Sequence, residues 1–128
     1  MIGGMVTEPT VLPLDALVVA KSLGTLALPW AVRHGLPGAW LTPLLGDADV
    51  AAAVREAQQP TLLVGGTADA HWQPSVATGP GVSLLELPGA DPGLQQPADW
   101  RRSLLGQLEI FDRVSQLAGQ LTGQHELG

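Results

Sequence analysis

Four short apolar runs, separated by stretches that favour helices or loops, constrain the fold of this 128-residue chain. The first three occupy residues 16–20, 39–45 and 61–65 in a β-α-β rhythm, and a fourth occupies residues 82–87. Residues 61–65 show no polar alternation, as is typical of a parallel strand covered on both faces. The pattern predicts an α/β fold with a mainly parallel four-stranded sheet and helices on both faces.

Three further segments have helical patterns. Residues 23–33 form the first, with a kink expected at Pro29, and the second begins at a cap, Asp47 or Asp49, and ends before Pro60. The last helix is predicted over residues 99–118. Its apolar residues recur at helical spacing and are expected to face the sheet: Trp100, Leu104, Leu108, Phe111, Val114 and Leu117.

The predicted organisation is an irregular lead-in at residues 1–14, one domain at residues 15–118 and a flexible tail at residues 119–128. A net charge of −6 with six basic residues argues against nucleic-acid binding. No apolar run approaches the roughly 18 residues of a membrane span, and the N-terminus lacks the pattern of a secretory signal. The absence of cysteine excludes disulfides and thiolate chemistry and makes a cytoplasmic location the simpler interpretation.

The first apolar run breaks at Ser22, which small residues flank at positions 20 and 24. A serine on a sharp strand-to-helix turn, with small residues on both sides, is typical of an activated nucleophile. Further polar side chains follow the later strands, among them Asp69, His71 and Asp91. Because carboxyl ends of parallel strands share one edge of a sheet, a site is expected there.

Four segments carry a family resemblance: residues 20–25 (AKSLGT), 40–45 (WLTPLL), 60–69 (PTLLVGGTAD) and 87–94 (LPGADPGL). With them, residues 15–118 resemble the C-terminal half of a bacterial α/β-hydrolase. The resemblance implies that Ser22 is the nucleophile, that the Leu23 N–H is an oxyanion donor, and that Asp69 is the acid that orients the base.

Two departures accompany the resemblance. The loop expected to carry the catalytic histidine has Pro92, which has no side-chain nitrogen to accept the serine proton. His71, or Asp69 acting through water, is then the expected base. The strands that precede the nucleophile strand in such hydrolases are also missing, which leaves half a hydrolase sheet with an open edge. A homodimer joined along that edge is the expected partner arrangement.

The sequence therefore predicts a minimal serine hydrolase, with weak esterase-type activity on small activated esters and no cofactor. The alternative is a non-catalytic remnant, or an engineered binding or assembly domain. A third hypothesis is metal-assisted hydrolysis by the aspartates at the strand ends, Asp47, Asp49, Asp69 and Asp91, together with His71.

Overall fold

The computed structural model describes residues 17–127, so the predicted lead-in at residues 1–14 lies outside the described residues. Strands and helices alternate along the chain, with two 3₁₀ helices between them. In order, the elements are β1 (Val18–Lys21), a 3₁₀ helix (Ser22–Ala27), α1 (Leu28–Arg33), β2 (Gly38–Leu41), α2 (Ala48–Glu56), β3 (Thr61–Gly66), a 3₁₀ turn (Pro74–Val76), β4 (Val82–Leu87) and α3 (Trp100–Leu127).

The four strands form one parallel sheet in the order β1-β2-β3-β4, which confirms the predicted α/β fold. Sequential order places β1 at one end of the sheet. Within the described residues β1 pairs with β2 alone, and Val19 on β1 is 47% exposed. Among the described residues, no strand pairs with the outer edge of β1.

Helices cover both faces of the sheet. On one face, α1 and α2 contribute Ala31, Val50 and Val54 to a core cluster that contains Trp40 and Leu63. On the other face, α3 contributes to a second cluster, whose members are Ala39, Leu62, Val64, Leu85, Leu87, Ala90, Leu94, Ile110 and Leu117. Since successive strand residues point to opposite faces, the two clusters use alternate positions of the same strands.

Local chemistry sets the element ends. β2 stops at Leu41 and not at the predicted residue 45, because Thr42 has a φ of 49° and Pro43 has no N–H for the sheet. The first predicted helix is split, and Pro29 lies in the first turn of α1, where its missing N–H costs little. Of the two candidate caps, Asp47 is the one used, since its Oδ1 accepts from the Asp49 and Val50 N–H groups.

The predicted core face of the last helix is confirmed at Val114 and Leu117 and is wrong at the four residues before them. Trp100, Leu104, Leu108 and Phe111 are 68%, 54%, 58% and 70% exposed. The buried face of the helix contains the predicted Leu117 and Val114 together with Ile110, which was not predicted. The helix also continues to Leu127, past the predicted end at residue 118. Both faces repeat at helical spacing, so periodicity alone does not distinguish them.

No helix within residues 17–127 has the length and apolar character needed to cross a lipid bilayer.

Gly65 on β3 allows a tryptophan to lie against the sheet. A Cβ on Gly65 would lie 2.0 Å from the Trp72 ring, which is far closer than two carbon atoms can approach. The indole is held in place because its Nε1 donates to Glu86 Oε2 at 2.7 Å. The absence of a side chain at position 65 is therefore needed to seat Trp72.

We expect Gly65→Ala to destabilise the protein by about 1–3 kcal/mol, because the added methyl displaces the Trp72 ring. The free energy of unfolding in urea measures this. Gly119→Ala is the matched control, since nothing lies within 4 Å of its Cβ position on α3. That change should stabilise the helix by up to about 1 kcal/mol. Equal stabilities for the two variants would contradict the close contact at Gly65.

Candidate functional site

Ser22 follows β1 directly and has a φ of 52°, in the left-handed region that disfavours residues with a Cβ. It begins the 3₁₀ helix, and Lys21 before it is still extended, with φ −136° and ψ 141°. The backbone therefore changes from an extended to a left-handed conformation within one residue. A serine held in this strained turn, between a strand and a helix, is the geometry predicted from the flanking sequence.

Ala20 and Gly24 are the small residues on either side of this turn. A Cβ on Gly24 would lie 3.3 Å from the Ala20 Cβ, which is tighter than an ordinary carbon–carbon contact. The 3₁₀ helix thus passes close over the end of β1. Larger residues at these two positions would push the helix away and relax the turn at Ser22.

The Thr25 side chain holds the turn through two hydrogen bonds. Its side chain is fully buried, and its Oγ1 donates to the Ser22 carbonyl at 2.6 Å. The same oxygen accepts from the Leu44 N–H at 3.1 Å, in the segment that follows β2. Thr25 therefore ties the serine backbone to the neighbouring strand end.

Thr42 is the side chain that contacts the Ser22 hydroxyl. The two oxygens lie 2.8 Å apart, and Thr42 is only 3% exposed. Thr42 Oγ1 donates its proton to the Leu41 carbonyl at 2.7 Å. Because a hydroxyl has one proton, the shared hydrogen bond must be donated by Ser22 to Thr42. In this arrangement the Ser22 proton is directed to Thr42 and not to a base.

Asp69 lies in the loop after β3 and is 4% exposed. Its Oδ1 accepts from the His71 backbone N–H at 2.9 Å. The His71 side chain is exposed, and within the described residues its imidazole has no hydrogen bond to Ser22 or Asp69. The structure thus brings the backbone of His71 to Asp69, but it does not place the imidazole as a base beside Ser22.

The loop that contains Pro92 is joined to the loop that contains Asp69. The Ala68 N–H donates to the Ala90 carbonyl at 2.9 Å, and Thr67 Oγ1 accepts from the Gly89 N–H at 2.6 Å. Gly66 makes this close approach possible, because a Cβ there would lie 2.1 Å from the Ala90 oxygen. The acid position and the position expected for a histidine are therefore on neighbouring, connected loops.

Pro92 occupies an exposed turn. The Leu94 N–H donates to the Asp91 carbonyl at 2.7 Å, and Asp91 Oδ1 accepts from the Gly93 and Gln95 N–H groups. Proline is favoured at the second position of such a turn, where no N–H is required. Most other residues are also accepted there, so the turn does not itself demand proline.

One cavity is lined by residues next to Ser22 and next to Pro92, but not by these two residues themselves. Its volume is about 240 Å³, and Lys21, Leu41, Gly93 and Leu94 are among its lining residues. Lys21 precedes Ser22, and Gly93 follows Pro92, so the two segments approach the same edge of the sheet. Leu23, the expected oxyanion donor, is 75% exposed in the first turn of the 3₁₀ helix, where N–H groups lack partners inside the helix.

The aspartates do not gather into a metal site. Asp47 caps α2 and, with Asp49, lines a separate cavity between α1 and α2, whereas Asp91 is bonded within its own turn. In the part of the chain that the structure describes, no group of three or more acidic or histidine side chains is placed to hold a metal ion. The described residues therefore give the metal hypothesis no support.

Sequence reasoning missed Thr25 and Thr42. Each is a buried polar residue in an otherwise apolar segment, and each forms a hydrogen bond near Ser22. The hydrogen bond from Thr25 to the Ser22 carbonyl could have been predicted, because threonine hydroxyls commonly donate to a carbonyl three or four residues earlier. No local pattern identifies Thr42, since its contact with Ser22 depends on the pairing of β1 with β2.

We expect Ser22→Gly to be more stable than Ser22→Ala by up to about 1 kcal/mol, because the relief of a left-handed penalty of about 1–2 kcal/mol is partly offset by the greater entropy that glycine loses on folding. Both variants lose the hydrogen bond to Thr42, so the difference between them reports the backbone strain less this entropy term. Urea unfolding of the two proteins measures it. An alanine variant as stable as the glycine variant would mean that position 22 is not held in this turn.

Comparisons of the chain with protein-family models, with curated proteins and with solved structures gave no match. The four-stranded parallel sheet with helices establishes an α/β fold. The resemblance to α/β-hydrolases stays a prediction from the sequence segments quoted above.

Proposed function

We propose that the chain is an α/β-hydrolase-like serine hydrolase with weak activity on small activated esters. The left-handed turn at Ser22 is the observation that supports this most strongly, because a residue with a Cβ is strained there and such strain concentrates at functional sites. The close Ala20–Gly24 contact and the two hydrogen bonds of Thr25 hold the turn in place.

In the proposed reaction, Ser22 Oγ attacks the carbonyl carbon of the ester, and the Leu23 N–H stabilises the negative charge that develops on the carbonyl oxygen. The alcohol leaves with a proton, and water then hydrolyses the acyl-serine. His71, or Asp69 through a water molecule, takes the serine proton. Neither is aligned with Ser22 by a hydrogen bond, so the rate is expected to be low.

A non-catalytic binding or assembly role is the second candidate function. Two observations favour it: the Ser22 proton is donated to Thr42, and Pro92 occupies the position where the resemblance implies a histidine. A scaffold needs neither a free hydroxyl nor a base. The two candidates differ in one measurable property, which is ester hydrolysis that depends on Ser22.

For the wild-type chain we expect slow hydrolysis of p-nitrophenyl acetate, with kcat/KM well below the range of about 10⁴–10⁸ M⁻¹s⁻¹ typical of efficient enzymes. Ser22→Ala should reduce the rate to that of buffer with an inert protein, and EDTA should leave the wild-type rate unchanged. An equal rate for wild type and Ser22→Ala would favour the non-catalytic role.

We expect Pro92→His to raise kcat/KM for the same ester by about 10²-fold, the lower end of the range for a positioned general base. The turn accepts a residue other than proline, and its loop is bonded to the loop that contains Asp69. Pro92→Ala is the matched control, because it removes the ring and adds no base.

The gain must also vanish in the double variant Ser22→Ala/Pro92→His. If Pro92→His and Pro92→Ala have the same rate, position 92 does not correspond to a catalytic base, and the proposed correspondence with hydrolases is wrong at this residue.

A further inference from the structure

Five large apolar residues in the described part of α3 are exposed, and all of them except Leu105 lie along one side of the helix. Trp100, Leu104, Leu108 and Phe111, here called the α3 stripe, are separated by four, four and three residues and are all more than half exposed. Residues at these spacings are neighbours on a helix surface. The stripe is therefore a continuous apolar surface, distinct from the face around Ile110 that packs on the sheet.

A contiguous apolar surface that includes an aromatic residue at each end is typical of a binding surface. Its charge differs from that of the whole chain. The chain carries a net charge of −6, whereas residues 100–112 contain two arginines and two acidic residues and are neutral. A second acidic molecule of this protein would therefore meet little repulsion at this helix.

Two charged residues border the stripe on the same flank. Arg101 and Asp112 are eleven residues apart, which is close to three helical turns, so they lie one above the other about 16 Å apart along the axis. Both are exposed. The Arg101 guanidinium lies 4.9 Å from the centre of the Trp100 ring, which keeps this positive charge beside the stripe.

The arrangement of Arg101 and Asp112 is complementary to that of a second α3 helix that runs in the opposite direction. When two α3 helices run antiparallel about a two-fold axis between residues 106 and 107, position 101 of one helix is level with position 112 of the other. Because the two-fold axis makes every contact reciprocal, position 112 of the first helix is also level with position 101 of the second, and two arginine–aspartate contacts form. Leu104 of one copy then lies near Leu108 of the other, and apolar residues meet apolar residues along the stripe.

We propose that the α3 stripe is the interface of a homodimer, in which two copies pack their α3 helices antiparallel with Arg101 of each beside Asp112 of the other. A second copy suits the surface better than a lipid bilayer, because helices that lie on membranes carry lysine and arginine along their polar face. Here an aspartate borders the stripe, and the chain is acidic overall. The interface is formed by α3 and not by β1, where the sequence predicted a dimer, although Phe111 and Val19 line one cavity.

The oligomeric state of the full chain tests the proposal. Light scattering coupled to gel filtration at micromolar concentration should give a dimer for the wild type and a monomer for Leu108→Glu. Gln120→Glu adds the same charge to α3 at an exposed position on the opposite side of the helix from the stripe, and it should stay dimeric. Circular dichroism verifies that each variant is folded, and a second variant, Leu104→Glu, should repeat the effect.

A charge exchange tests the antiparallel register. Arg101→Asp and Asp112→Arg should each weaken dimerisation on the order of tenfold, because each replaces two attractive contacts with two repulsive ones. The double variant Arg101→Asp/Asp112→Arg restores both pairs and should recover most of the affinity. Arg102→Asp, on the other side of the same helix, should have a smaller effect than Arg101→Asp.

A monomeric wild-type protein would overturn the proposal. A dimer that persists in both leucine variants would also overturn it and would place the interface elsewhere, for example at the edge of β1. A double charge variant no tighter than the single variants would show that the helices do not pair in this register.

Discussion

The close packing of the 3₁₀ helix against the end of β1 is the contact on which the candidate site depends. Ala20 and Gly24 allow the helix to approach the strand closely, and Ser22 between them has a φ of 52°. Thr25 then bonds both the Ser22 carbonyl and the chain after β2, so the strained turn is tied to the next strand. A residue with a Cβ keeps a strained left-handed conformation only where several surrounding contacts hold it.

The sheet was predictable from the sequence because each strand is a short apolar run with a clear break at its end. Residues 61–65 in particular became a fully buried central strand, as their lack of polar alternation indicated. The turn at Ser22 was predictable for a similar reason, since the small residues that allow it are its neighbours in the chain. Structural features that depend on residues close together in the sequence could therefore be predicted.

Structural features that depend on contacts between distant segments could not be predicted from the sequence. The buried face of α3 was predicted only at Val114 and Leu117, because the exposed apolar residues between Trp100 and Phe111 repeat at the same helical spacing. The Ser22–Thr42 hydrogen bond needs the register of β1 on β2, and that register appears only in the folded sheet. The position of the His71 side chain, exposed beside the buried Asp69, likewise depends on how the loop after β3 folds.

The end position of β1 in the sheet also bears on how the protein fluctuates. β3 is buried at every residue and lies between two strands, whereas β1 has four residues, of which one is buried. Amide hydrogen exchange is slowest where burial and pairing are greatest, so protection should decrease from β3 towards β1. Ser22 is therefore attached to an edge strand, and local opening there can expose its hydroxyl while the centre of the sheet stays folded.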